Sequence, residues 1–215
     1  MRKVAVVLAG CGVFDGSEIN EVVLTLLSLE ERCIAYECFA PDEEYAHVID
    51  HYKGRVVDEK RNVLVESARI VRGNIKPIAE LDATYFDALV IPGGFGVAKN
   101  LSDFAFKGAS FCIKPYMQEV FNAFKLSGKY CCLICISPVL ATKIYSNPLV
   151  TIGEDASVIS AIEENGGHHK LASHDEVVLD SENKIITTPA YMLGGSLLEA
   201  RIGIDNLISK LKELM

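Results

Sequence analysis

Four short apolar runs, each closed by glycine or proline, constrain this chain more than any other feature. Lys3 to Leu8 reads K-V-A-V-V-L and is followed by the glycine-rich turn Gly10 to Gly16. Ile34 to Ala40 stops at Pro41, Asp87 to Ile91 stops at Pro92-Gly93-Gly94, and Tyr130 to Ile134 precedes Pro138. Continuous apolar runs of strand length are the mark of strands buried on both faces, which means a parallel sheet covered by helices. Helical spacing lies between them: Val22, Val23, Leu26 and Leu27 after the first run, Asn62 to Arg72, Lys114 to Leu126 ahead of Gly128, and Leu197 to Met215 at the end. Val150 to Ile152, Val177 to Leu179 and Lys184 to Thr188 add strand candidates, the last two joined by the turn Asp180 to Asn183. The expected fold is α/β, a mostly parallel sheet with helices on both faces, in one domain over 1–215.

Composition narrows the function. Of 215 residues, 50% are hydrophobic and 23% charged, which suits a globular core. A net charge of −8 offers nothing to nucleic acid or an anionic membrane surface. No apolar stretch reaches the ~18 residues of a membrane span, and Met1-Arg2-Lys3 runs straight into a strand without a signal-peptide pattern. Seven cysteines without framework spacing point to reduced thiols, so a cytosolic setting is expected.

Ligands of parallel sheets bind at the carboxyl ends of the strands, and three such ends are unusual here. Cys131 to Pro138 reads C-C-L-I-C-I-S-P. With the strand ended and Pro138 opening a helix, Cys135 falls on the strand-to-helix turn, the geometry of a nucleophile elbow. The helix start would lower the thiol pKa, and the N–H of Ile136 would face a substrate oxyanion. Ser137 supplies the small residue an elbow wants two positions on; Leu133, two positions before, does not. A buried structural cysteine is the plain alternative. Pro92-Gly93-Gly94-Phe95-Gly96 permits close backbone approach, and its N–H groups could complete an oxyanion hole. A thiol nucleophile needs a carboxylate or base nearby. Glu18 is the first candidate and Glu21 the second, although Asp15 and Glu18 would also make a capping box.

Beyond these residues the chain resembles a known family. L-A-G-C-G-V-F-D-G-S-E-I (Leu8 to Ile19), E-K-R-N-V-L-V-E-S-A-R-I (Glu59 to Ile70), V-I-P-G-G-F-G-V-A-K-N-L-S (Val90 to Ser102), I-C-I-S-P (Ile134 to Pro138) and I-I-T-T-P-A-Y-M-L (Ile185 to Leu193) are similar, in order, to the ElbB proteins (enhancing lycopene biosynthesis). These belong to the ThiJ/PfpI superfamily with its class I glutamine amidotransferase-like fold. The resemblance implies a flavodoxin-like three-layer sandwich, a homodimer, and a cofactor-free glyoxalase activity taking glyoxal to glycolate. It also implies Cys135 as the reactive cysteine with Glu18 near it. On that reading the Cys135 thiolate adds to a small aldehyde or dicarbonyl, the N–H groups of Gly94 and Ile136 hold the oxyanion, Glu18 moves a proton, and water frees the hydroxy acid. Cys11, Gly93, Asn100 and Tyr191 are further lining candidates. Amidotransferases place a histidine where this chain has Thr187-Thr188-Pro189-Ala190-Tyr191, and superfamily peptidases place one where it has Ile136. Both differences argue against amide hydrolysis, which needs an acid for the leaving amine.

The alternative from another class is a redox sensor in which Cys135 is oxidised, with Cys11 as resolving thiol. Weaker patterns are set aside: Gly10-Cys11-Gly12 with Gly16 misses the dinucleotide fingerprint by one position. Cys132 and Cys135, though spaced C-x-x-C, should face opposite ways in a strand. His47 and His51 lack a third ligand, so no metal is expected. His174 sits in a polar loop from which it could reach the site.

Overall fold

The computed structural model describes residues 2–215. A seven-stranded sheet runs in the order β10-β11-β7-β6-β1-β2-β5. Its strands are β1 (Lys3–Val7), β2 (Ala35–Ala40), β5 (Lys76–Pro77), β6 (Ala88–Ile91), β7 (Tyr130–Ile134), β10 (Val178–Asp180) and β11 (Ile185–Thr188). Every neighbouring pair is parallel except β10 with β11. The four runs picked out by hydrophobicity are the four consecutive central strands, with Val4 aligned to both Tyr36 and Ala88, and Leu89 to Cys131. Successive strand residues face opposite ways. Complete burial of Val4 to Val7 and of Ala88 to Ile91 therefore means that both faces are covered.

The cover consists of α1 (Ile19–Glu31), α2 (Val63–Ile70), α3 (Phe95–Lys99), α4 (Phe104–Lys107), α5 (Pro115–Leu126), α6 (Ala156–Glu164) and α7 (Leu197–Leu214). Helices α1 and α7 lie side by side, joined by Arg32, which donates to both carboxylate oxygens of Asp205 at 2.7 and 2.8 Å. Met117, Phe121 and Phe124 of α5 are fully buried, and α5 packs against β7. Each such side chain removed from water contributes on the order of 1.5–3 kcal/mol. Ser196 and Glu199 form a complete capping box at the start of α7.

Three local expectations are corrected, and one element is new. The segment opened by Pro138 is a 3-10 helix, Ser137–Lys143, rather than an α-helix. The polar stretch after Pro41 holds a hairpin, β3 (Val48–Asp50) with β4 (Arg55–Val57). The strand expected over Val150 to Ile152 is β8 (Leu149–Val150), which pairs with β9 (His168–His169) in a separate two-stranded sheet. The cap of α1 is Glu18 itself, accepting from the Glu21 N–H at 2.6 Å, so Asp15 and Glu18 do not form a capping box.

A candidate cysteine site at the sheet's carboxyl edge

Strand β7 ends at Ile134, and the next residue, Cys135, adopts φ 63°. A side-chain-bearing residue in that left-handed region costs on the order of 1–3 kcal/mol and persists only where its surroundings enforce it. Here they do. The Cys135 N–H donates to the Thr188 carbonyl at 3.0 Å. The Ser137 hydroxyl accepts from the Ile134 N–H and donates to the Ile91 carbonyl, both at 2.8 Å. The small residue two positions after the cysteine thus ties the elbow to the end of β6.

That neighbouring end carries the glycines. A Cβ on Gly93 would lie 2.7 Å from Cys135 Sγ and 2.7 Å from Glu21 Oε2, so only glycine lets the thiol and the carboxyl approach so closely. Gly94 has φ 99°, and a side chain there would strike the backbone of Gly16 and Glu18. The N–H groups of Gly94 and Ile136 both act on the thiol and favour its charged form.

The carboxyl group that contacts the thiol belongs to Glu21, not Glu18. Glu21 is fully buried, hydrogen-bonds Cys135, and accepts from the Gly93 N–H at 2.8 Å and the Tyr191 N–H at 3.3 Å. Burial, then the charge of Glu18, push its pKa up to about 7. Glu18 occupies the cap and also lines the small cavity over Cys135, with Val13, Gly94, Ile136, Tyr191 and Met192. That cavity measures about 110 Å³. Glu18, expected first because it opens the helix at this edge of the sheet, lines the same cavity, while the contact with the thiol is made by Glu21. With Ile19 as the first helical residue, Glu21 falls in the first turn, aimed at the strand ends.

The expectation that the helix start lowers the Cys135 pKa is corrected. Burial, then the charge of Glu21, hold the thiol well above its ordinary value, and the N–H groups of Gly94 and Ile136 oppose them. The influence runs one way: Glu21 raises the thiol, whereas the hydrogen bond from Cys135 lowers Glu21 against its burial.

The remaining candidates divide. Tyr191 lines the cavity and bonds Glu21 through its backbone. Cys11 sits elsewhere, half-buried near Glu66, Arg69, Asp15 and Arg61, with its N–H on the Tyr45 hydroxyl. Asn100 is buried and structural: its amide donates to the carbonyls of Ala9 (2.9 Å) and Asp15 (2.8 Å) and accepts from the Ala46 N–H (3.0 Å). The turn after β1 is filled from within, since a Cβ on Gly10 would meet the Tyr45 hydroxyl and one on Gly12 the ring of His51. His47 stacks edge-on against Phe106, whereas His51 bonds the backbone of Ile49 and Phe14, so the pair do not converge. His174 lies against Gly203 of α7, and no histidine lines the cavity among the described residues.

Comparison with known proteins agrees with this architecture. No protein-family model matches the chain. It is 41% identical over 99% of its length to a human glutamine amidotransferase-like class 1 domain-containing protein, and covers 83% of that protein. A rat ES1 protein homologue is 40% identical, with 84% covered, and a zebrafish ES1 protein 31% identical, with 77% covered. All three are named as mitochondrial, which overturns the cytosolic setting expected from the cysteines. Thiol counting distinguishes oxidising from reducing surroundings and says nothing about which reducing compartment. Among the described residues no helix is long and apolar enough to cross a membrane. A crystal structure of an isoprenoid biosynthesis protein with an amidotransferase-like domain from Ehrlichia chaffeensis superposes with a TM-score of 0.92 at 40% identity, over 99% of both chains. A DJ-1 superfamily protein of Salmonella typhimurium, 22% identical, shares the fold at a TM-score of 0.62 over all of this chain and 90% of its own. The chain belongs to the ES1 family of class 1 glutamine amidotransferase-like proteins.

Proposed function

We propose that the protein is a cofactor-free lyase of the glyoxalase type, with Cys135 as nucleophile and Glu21 as the group that moves protons. The observation that carries this reading is the buried hydrogen bond between Glu21 and Cys135, at a thiol that also meets the Gly94 and Ile136 N–H groups. As Cys135 adds to an aldehyde carbon, its proton passes to Glu21 and the new oxyanion takes up the two N–H donors. Glu21 delivers that proton to the oxyanion, completing a hemithioacetal, and the freed carboxylate then removes the hydrogen of that carbon and returns it to the neighbouring one through an enediol, leaving a hydroxyacyl thioester. Water cleaves the thioester to the 2-hydroxy acid and restores the thiol. Glyoxal plus water thus becomes glycolate with no external oxidant or reductant. A carboxyl group with a pKa near 7 is matched to moving protons in both directions at neutral pH. Amide hydrolysis fits less well, because no histidine lines the cavity to protonate a leaving amine.

The redox-sensing alternative draws less support. Burial and Glu21 favour the protonated thiol, which oxidises slowly, and Cys11 lies among other neighbours. The deciding experiment is glycolate formation from glyoxal by wild type, Cys135→Ser and Glu21→Gln. Turnover by wild type alone supports the lyase; equal product from all three, or none from any, rejects it.

A further inference from the structure

The cavity over Cys135 borders a much larger groove. Phe95, Ile136, Tyr191 and Met192 line both. The groove measures about 690 Å³ against about 110 Å³ at the thiol, and runs between α3, α4 and α6. A two-carbon dicarbonyl fills only the smaller space. A volume of several hundred Å³, largely apolar and adjoining a reacting group, is what a site for a larger organic ligand provides.

The lining restricts the chemistry of what enters. The walls are Phe104, Ala105, Ala109, Val158 and Ala161. Among the described residues no lysine or arginine lines the groove, and its charged members are Asp155 and Glu164. Asp155 accepts from the N–H groups of Ser157 (2.9 Å) and Val158 (3.0 Å) at the start of α6, and Glu164 accepts from the Ser160 hydroxyl at 2.9 Å. An anionic arm would meet carboxylates and no counter-charge, whereas an uncharged flat or branched apolar arm would displace water from hydrocarbon.

We infer that this groove is a specificity subsite for the uncharged apolar arm of a 2-oxoaldehyde, an aryl or branched alkyl glyoxal, whose aldehyde carbon reaches Cys135. This deepens the lyase reading and rests on it. Thiol addition at the aldehyde, proton transfer to the ketone carbon and hydrolysis of the thioester convert phenylglyoxal and water to mandelate.

The test compares kcat/KM for glyoxal, phenylglyoxal and 4-carboxyphenylglyoxal in wild type, Ala105→Trp and Ser157→Trp, all followed as the hydroxy acid formed. Both replaced residues are exposed, on α4 and α6, so either variant narrows the groove without entering the core. Wild type is expected to favour phenylglyoxal over glyoxal by about tenfold or more, to gain nothing from the carboxylated ring, and to lose the preference in both variants. Turnover of glyoxal with no aryl preference, or a preference untouched by both tryptophans, overturns the subsite and leaves the lyase reading standing. If neither substrate is turned over, the lyase reading fails, and titration of mandelate into Cys135→Ala by calorimetry decides the groove: saturable binding lost in Ala105→Trp retains it, and absence of binding overturns it. A change of mass in sedimentation on adding either tryptophan, with selectivity unaltered, would assign the groove to a second copy of the chain and overturn the proposal.

Discussion

The carboxyl group of Glu21 hydrogen-bonds the thiol of Cys135 from inside the protein, with Gly93 pressed against both. One carbon added at Gly93 would have to part them. Gly93→Ala is expected to cost about 1–3 kcal/mol of stability and to lower glyoxal turnover by about a hundredfold, since an ångström of misplacement at a reacting group has that effect. Chemical denaturation and steady-state rates measure the two separately. Full activity in a folded Gly93→Ala protein would show that the contact is dispensable.

The pH dependence of stability has a sign fixed by burial. The Glu21 pKa rises from 4.5 in the open chain to about 7 in the folded protein. Folding is therefore favoured most below the lower value, and stability is lost as pH rises through the upper one, because the unfolded chain releases the proton more readily. Glu21→Gln removes this titration. Its melting temperature relative to wild type should improve steadily between about pH 4.5 and pH 7 and level off above; a flat difference across that range would contradict the raised carboxyl.

Glu18 and Glu21 are separable by activity. Glu18 is the second cause of the Glu21 shift, after burial. Glu18→Gln is expected to retain turnover while the acid limb of the kcat/KM profile moves below about pH 7, since the remaining carboxyl then ionises more easily. Glu21→Gln should have no turnover at any pH. The reverse ranking would return the proton-moving role to Glu18. Glu18→Ala, which also deletes the α1 cap, should cost about 1 kcal/mol.

Ser137→Ala tests the clamp on the elbow. It leaves the buried Ile134 N–H and Ile91 carbonyl without their partner, and an unsatisfied buried group costs about 1–3 kcal/mol. Urea unfolding should show that loss, and the reactivity of Cys135 toward a small thiol reagent should rise as the elbow loosens. Unaltered stability and reactivity would mean that the strand and turn hold Cys135 without the hydroxyl.

The sheet was legible because its central strands are buried on both faces, which leaves uninterrupted runs such as Val4 to Val7. The elbow was legible because Pro138 bounds it. Which glutamate touches the thiol was not legible, since a carboxylate at either position can cap or point inward, and only the helix start at Ile19 decides between them. The hairpin from Val48 to Val57 escaped notice because, with one side exposed, it shows no continuous apolar run. Cys11 seemed a partner for Cys135 from its place at the same sheet edge; the bend of the turn after β1 carries it toward Glu66 and Arg69 instead.

Asn100 joins the turn after β1, at Ala9 and Asp15, to the segment at Ala46 with a single buried amide. Segments that share a buried polar anchor lose protection together when the anchor breaks. The rim of the site should accordingly breathe as one body. In hydrogen exchange, the amides of Ala46 and of the turn between Ala9 and Gly16 would exchange with a common opening energy, set by how often one side chain lets go.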